Sequence, residues 1–103
     1  MYKIFTTEEF DKRYKKLDTQ LQTEVAKEIE QLEENPYSGK PLGYTFFREK
    51  KVKNYRIYFL IYEEYITVFV ITLSTKKDQQ ENINKIKVLI PYYREEIKKK
   101  INL

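Results

Sequence analysis

The chain has 103 residues, enough for one domain with a hydrophobic core of its own. It contains neither cysteine nor histidine, which excludes disulfide scaffolds, zinc sites built on those residues, cysteine nucleophiles and imidazole acid–base catalysis. Twenty basic and sixteen acidic residues give a net charge of +4 at pH 7, and the remaining chemistry is that of lysine, arginine, carboxylate, hydroxyl and backbone groups.

The sequence also lacks the signals of membrane insertion and export. Its apolar runs are far shorter than the ~20 residues that span a bilayer, and no signal-peptide pattern opens it. The glutamate pairs Glu33-Glu34 and Glu63-Glu64 have no fixed ligand spacing, so we expect exposed helix-end and turn residues rather than a metal site. These features predict a soluble cytoplasmic protein without a membrane partner, a metal or a small-molecule cofactor.

The first third of the chain has the pattern of a strand followed by a helical hairpin. Residues 2–5 are a short strand candidate, and Thr6 begins a Thr-Thr-Glu-Glu sequence that is typical of a capping box. Asp18 or Thr19 is available to cap a second helix, which Asn35-Pro36 ends. Apolar residues recur every three or four positions between these signals, which predicts two amphipathic helices over residues 7–35. They are Phe10, Tyr14, Leu17, Leu21, Val25, Ile29 and Leu32.

The middle of the chain changes to an extended pattern. Both glycines and two of the three prolines fall within residues 36–43, the predicted main turn region. One strand candidate begins at Phe46, and two more cover residues 52–62 and 65–73. Their alternation predicts an antiparallel sheet with one face under the helices and one partly open. The side chains expected to meet the helical hairpin are Tyr55, Ile57, Phe59 and Ile61, or else the set between them.

A helical period returns from Gln79, and Pro91 within it predicts a kink or two helical pieces. The whole order is therefore β-α-α-β-β-β-α, an α+β fold class. We predict a single domain over residues 1–103, in which an N-terminal strand and helical hairpin pack on an antiparallel sheet of three or four strands. A C-terminal helical extension covers about residues 79–103.

The net charge is concentrated in one stretch. Residues 48–56 hold five basic side chains and one acid, and Lys76 and Lys77 follow the last strand. In a meander, the first turn and the end of the last strand can share one edge of the sheet, which would gather these groups among aromatic rings. Basic groups with aromatic rings favour single-stranded RNA, whereas turn lysines can also be ordinary solvated edge residues. The five basic residues are Arg48, Lys50, Lys51, Lys53 and Arg56.

The arrangement resembles the RelE/ParE toxins of type II toxin–antitoxin systems, and among them RelE-like proteins of archaeal type. The resemblance rests on the helical hairpin, on Glu-Asn-Pro-Tyr-Ser-Gly-Lys-Pro-Leu at 34–42, and on the strands at 47–62 and 66–73. Its most specific piece is Asn-Tyr-Arg-Ile at 54–57, which is similar to the family's Gly-Tyr-Arg-Val/Leu. The similarity extends from residue 1 to about residue 90.

The resemblance implies a toxin that cleaves mRNA in the ribosomal A site, uses the 2′-OH of the RNA without a cofactor, and is neutralised by an antitoxin. It implies that Arg56, an exposed strand arginine, and Lys76 occupy catalytic positions. Lysines of the family fall at Phe47 and Glu49, and its base-stacking tyrosine falls at Asn82. The predicted catalytic residues are Arg56, Lys51, Lys53 and Lys76, with one lysine as base. The predicted RNA-binding residues are Arg48, Lys50, Lys77 and Tyr55.

Two other functions remain open on the sequence. One is a catalytically weak or inactive RelE/ParE-like module that binds a protein, such as gyrase or only an antitoxin. The other is a plain RNA-binding domain.

Overall fold

The computed structural model describes residues 1–102, which form a mixed sheet between two helical layers. In chain order, the elements are β1 (Lys3–Thr6), α1 (Glu8–Lys15), α2 (Thr19–Glu34), β2 (Lys40–Tyr44), β3 (Phe47–Val52), β4 (Tyr55–Tyr62), β5 (Thr67–Thr75), α3 (Gln79–Val88) and α4 (Ile90–Lys100). Short 3₁₀ turns follow α2, β4 and β5. This architecture confirms the predicted α+β class. Within residues 1–102, no helix has both the length and the apolar composition needed to cross a membrane.

The sheet has the strand order β1-β5-β4-β3-β2. Strands β2 to β5 form the predicted antiparallel meander, while β1 joins the opposite edge parallel to β5, with Ile4 beside Val68. The sheet therefore has five strands rather than three or four. The predicted turn region contains β2, whose Pro41 and Gly43 are tolerated because β2 is an edge strand that pairs on one side only.

The helical hairpin covers one face of the sheet, as predicted. Val25 and Leu32 of α2 are fully buried and belong to one core cluster with Ile57, Phe59 and Ile61 of β4. Burial of this apolar surface is the main source of stability for these helices, since short helices are marginal in isolation.

The cap of α1 differs from the prediction by one residue, whereas the cap of α2 is one of the two predicted residues. Thr7, rather than Thr6, caps α1, and its Oγ1 accepts a hydrogen bond from the Phe10 amide at 3.0 Å. The Thr6 hydroxyl instead donates to the carboxylate of Asp11 at 2.7 Å. Asp18 caps α2, with its Oδ1 accepting from the Leu21 amide at 2.8 Å.

The C-terminal helices cover the second face, so the expectation of a partly open sheet is wrong. Residues of α3 and α4 form a core cluster with the side chains of β4 and β5 that point away from the hairpin. Pro91 divides the segment into two helices, as predicted, and lies in the first turn of α4, where a missing amide hydrogen breaks no helical bond. The helical members of this cluster are Ile83, Ile86, Tyr93 and Ile97.

Tyr93 provides a pH-dependent test of this docking. Its ring meets the Phe69 ring edge-on at a centroid distance of 6.0 Å, and burial raises the pKa of Tyr93 to about 12. Because unfolding restores a pKa near 10, the buried phenol stabilises the fold below pH 10, and this contribution is lost as the pH rises from 10 towards 12. Between pH 9 and 11, the wild-type protein should lose about 1 kcal/mol of unfolding free energy more than Tyr93→Phe does. Urea unfolding at both pH values measures the difference.

The exposed neighbour Tyr92 supplies the control for this experiment. Tyr92→Phe should lose as much stability at high pH as the wild-type protein. Equal losses in wild type and Tyr93→Phe would show that Tyr93 is not buried in solution.

Candidate functional site

Most of the predicted basic residues lie at one end of the sheet. The strand register places Lys51 opposite Arg56, Arg56 opposite Ser74, and Tyr55 opposite Thr75. Lys76 and Lys77 follow β5 directly in an exposed 3₁₀ turn. The structure thus brings the turn between β3 and β4 to the same end of the sheet as the end of β5, as the sequence predicts.

The basic residues of β3 and its turn nevertheless divide between the two faces of the sheet. Lys50 lies on the side of the helical hairpin, with its Nζ 3.8 Å from Glu28 Oε2 and 3.1 Å from Ser38 Oγ. Lys53 lies on the same side, 3.6 Å from Glu24 Oε1. Tyr55 packs against the apolar cluster under the hairpin. These three side chains therefore contact the protein itself, and they are separated from Lys51 and Arg56 by the sheet.

Arg48 has a structural environment. Its guanidinium donates to the carbonyl oxygens of Thr45, Tyr37 and Gly39 at 2.8, 2.9 and 2.7 Å. It also lies over the Tyr37 ring, 5.1 Å from the centroid. Three backbone acceptors occupy most of its donors, so Arg48 holds the segment before β3 in place and has little capacity left for RNA.

Arg56 is buried, contrary to the expectation of an exposed strand arginine. Its residue exposure is 9%, because β4 lies in the middle of the sheet and α3 begins above it. Its Nε is 3.5 Å from Oε2 of Glu49, which is 6% exposed. The Gln79 side-chain amide, at the start of α3, donates to both oxygens of the same carboxylate at 2.8 and 3.0 Å. Glu49 is thus held between Gln79 and Arg56.

An open cleft of about 430 Å³ lies over this pair. Lys40, which sequence reasoning missed, stands opposite Glu49 in the β2–β3 ladder, and Lys51 stands opposite Arg56 in the β3–β4 ladder. Both lysines are exposed, and within residues 1–102 neither has a carboxylate within salt-bridge distance. Of the four cations that line the cleft, Lys50 pairs with Glu28 on the hairpin side. The other three stand against the single carboxylate of Glu49 and give the cleft a positive charge that suits a phosphate. The lining residues are Ser38, Gly39, Lys40, Glu49, Lys50, Lys51 and Arg56.

Close backbone packing forms one wall of this cleft, which is called the phosphate cleft below. A Cβ at Gly39 would stand 2.8 Å from the backbone oxygen of Glu49 and 2.8 Å from the Phe59 ring. The absence of a side chain at Gly39 therefore lets the segment before β2 approach β3.

Neutral polar side chains stand next to Glu49 and Arg56 in the sheet, with Tyr58 opposite Glu49 and Ser74 opposite Arg56. The hydroxyl groups of Tyr58 and Ser74 are hydrogen-bonded at 3.0 Å, and burial raises the pKa of Tyr58. Asn82, where the resemblance places a tyrosine, donates from Nδ2 to the Asp78 carbonyl at 2.8 Å and is 8% exposed. Its side chain stabilises the start of α3 and offers no ring for stacking. Among the described residues, no three His, Cys, Asp or Glu side chains cluster as a metal site would require.

Comparison with known proteins identifies a family and a fold. The family model of the ParE toxin of type II toxin–antitoxin systems, parDE, matches residues 4–79. A mutant of the E. coli toxin RelE in its free state has a TM-score of 0.69 and 20% identity, over 82% of this chain and 90% of that one. A search of curated protein sequences found no match.

Two toxin–antitoxin complexes are also similar. The intact E. coli RelBE complex gives a TM-score of 0.66 with 23% identity, over 73% of this chain and 96% of that one. The archaeal RelE–RelB complex from Pyrococcus horikoshii gives 0.64 with 13% identity, over 73% and 94%. At these identities, the structural similarity establishes a shared fold.

Proposed function

Because the chain belongs to the ParE toxin family of type II toxin–antitoxin systems, we propose that it is a cytoplasmic toxin that binds ribosomes and cleaves mRNA there. The observation that carries the proposal is the phosphate cleft, in which Lys40 and Lys51 flank the buried guanidinium of Arg56. A charge fixed in a partly dry site stabilises a phosphorane more strongly than a solvated charge does.

The proposed reaction needs no metal or cofactor. The 2′-OH of one nucleotide attacks the adjacent phosphate, and the extra negative charge of the pentacoordinate phosphorus falls beside Arg56 and Lys51. Lys76 and Lys77 lie at the same end of the sheet, where they would hold neighbouring phosphates of the strand. Lys53 pairs with Glu24 on the hairpin side of the sheet and stays outside the site. Arg48, Lys50 and Tyr55 contact the protein and contribute to the shape of the site.

We also propose an antitoxin as the partner that neutralises this toxin. The E. coli RelBE and P. horikoshii RelE–RelB structures are toxin–antitoxin complexes, and their toxins share the fold of this chain. Because helices cover both faces of the sheet, the binding surface would lie on the outer helix faces or the sheet edges rather than on an open sheet.

One observation favours a second function, inhibition of a protein such as gyrase without RNA cleavage. Phe47 and Glu49 stand where the resemblance implies lysines, and the Glu49 carboxylate offsets the charge of Arg56. A site with less net positive charge would bind RNA less well, and the toxin would then act through protein contacts alone.

Primer-extension mapping of mRNA on programmed ribosomes tests the proposal. The wild-type protein should cut within the A-site codon, and Lys51→Gln should cut at least tenfold more slowly because one cation leaves the phosphate cleft. Lys98→Gln makes the same change of charge in α4 and should change the rate by about twofold or less, the small effect expected at an exposed ion pair. A wild-type protein that leaves mRNA intact but blocks DNA supercoiling by gyrase would support the second function.

A further inference from the structure

We propose that the chain forms a homodimer, in which the outer faces of α3 and α4 pack antiparallel against the same faces of a second copy. This inference does not depend on mRNA cleavage. The surface consists of six exposed residues on the side of the two helices that is turned away from the sheet, and we call it the dimer stripe. They are Glu81, Lys85, Val88, Tyr92, Glu95 and Lys99.

The helical repeat passes through the junction between α3 and α4, so the dimer stripe is one continuous surface. The Leu89 amide donates to the Lys85 carbonyl at 3.2 Å, and the Tyr93 amide donates to the Leu89 carbonyl at 2.9 Å. Ile83 and Ile97 lie in the same core cluster on either side of this junction, so both helices turn the same side to the sheet. The opposite side, which carries the dimer stripe, is therefore also shared.

The spacing of the dimer stripe suits the packing of one helix on another. Successive members are separated by four, three, four, three and four positions, which is the heptad spacing of a coiled-coil seam. The spacing is also symmetric about residue 90, so an antiparallel copy that crosses there presents the same pattern in reverse. A two-fold axis at this point places Val88 of one copy opposite Tyr92 of the other.

The centre of the dimer stripe is apolar although it is exposed. Val88 is 78% exposed and Tyr92 is 55% exposed, and Pro91 between them is also exposed. The Tyr92 ring contacts the Tyr93 ring at a centroid distance of 5.4 Å, and the Tyr93 ring in turn packs edge-on against Phe69. A ring that is already held in place loses little freedom on association, which suits it as an interface anchor.

The charges of the dimer stripe identify the partner as a second copy of the chain. About the same axis, Glu81 faces Lys99 of the second copy, and Lys85 faces Glu95. Each of these pairings occurs twice by symmetry, so opposite charges surround the apolar centre on both sides. Parallel packing would instead place every charged residue opposite its own like charge, which is unfavourable. The antiparallel arrangement is therefore the one that the sequence of charges selects.

The charged members have weak partners within the monomer, which they can exchange for contacts across the axis. Lys85 is 3.7 Å from Glu9, and Glu95 is 3.4 Å from Lys98. Exposed ion pairs of this kind contribute little to stability. Because the dimer stripe is small, we expect a weak dimer that dissociates below about 1 μM and forms at about 100 μM.

Sedimentation velocity of the full-length chain tests the inference. The wild-type protein should change from monomer to dimer over this range of concentration. Lys85→Glu should weaken the dimer at least tenfold, because two attractive pairs become repulsive. The double variant Lys85→Glu, Glu95→Lys should return the dissociation constant to within about threefold of wild type. Positions 85 and 95 are about 15 Å apart along one chain, so this rescue can arise only between copies.

Two further variants complete the test. Lys27→Glu makes the same change of charge on α2, across the sheet from α3 and α4, and should change the dissociation constant by about twofold or less. Val88→Asp would bury a carboxylate at the apolar centre and should leave the chain monomeric at about 100 μM.

Three results would overturn the inference. The first is a wild-type chain that stays monomeric at every concentration, as it would if the dimer stripe served an antitoxin alone. The second is a Lys27→Glu variant that weakens the dimer as much as Lys85→Glu does. The third is a double variant that fails to restore the dimer.

Discussion

Arg56→Ala should lower the rate of mRNA cleavage about 100- to 1000-fold, the effect of removing one preorganised charge from a developing oxyanion. It should also lower the free energy of unfolding by about 3 kcal/mol, because Glu49 would remain buried without its cation. Single-turnover cleavage on programmed ribosomes measures the first effect, and urea unfolding measures the second.

Arg56→Lys separates the two effects. Lysine keeps the positive charge beside Glu49, so most of the stability should return, but it lacks the planar fork of donors that binds a phosphate. Its cleavage rate should stay at least tenfold below wild type. Arg94→Ala is the matched arginine control. Arg94 pairs with Glu64, which follows the end of β4, whereas Arg56 lies near the start of that strand. Wild-type cleavage by Arg56→Ala would contradict the placement of Arg56 at the reacting phosphate.

Ile97→Ala should lower the free energy of unfolding by about 2–5 kcal/mol. Ile97 is fully buried in α4, within the cluster that covers the second face of the sheet. Removing its outer carbons leaves a cavity between helix and sheet, which adds to the lost hydrophobic burial. Urea unfolding at neutral pH measures the loss.

Val88→Ala is the control for this change. Val88 is 78% exposed at the end of α3, and its truncation should change stability by about 0.5 kcal/mol or less. Equal small effects of Ile97→Ala and Val88→Ala would contradict the docking of α4 on the sheet.

Local patterns were sufficient to predict the helical hairpin and its buried face. The spacing of Val25 and Leu32 places them on one side of α2, and the alternation of Ile57 and Phe59 places them on one side of β4. The break at Pro91 follows from the missing amide hydrogen. Each of these inferences depends on residues close together in sequence.

The features that sequence reasoning missed depend on register and on distant contacts. β2 contains Pro41 and Gly43, which disfavour a strand, and only its pairing with β3 makes it one. The importance of Lys40 then follows from its position opposite Glu49, which lies nine positions further along the chain. The burial of Arg56 likewise depends on α3, whose Gln79 is far along the chain.

The division of the basic stretch has the same cause. Lys50 and Lys51 are neighbours in sequence, but successive strand residues point to opposite faces. The Lys50 ammonium therefore pairs with Glu28 of α2, while Lys51 stands beside Arg56 on the other face. Without the register, the sequence shows a single basic patch where the structure has two.

The most direct test of the proposed chemistry uses an mRNA with one 2′-deoxynucleotide immediately 5′ of the mapped cut, bound to programmed ribosomes. Removing that single hydroxyl should abolish cleavage at the bond by the wild-type protein, while a 2′-deoxynucleotide outside the A-site codon should leave the cut in place. Cleavage that persists at the modified bond, or no cleavage of the unmodified mRNA, would contradict a 2′-OH-dependent endonuclease.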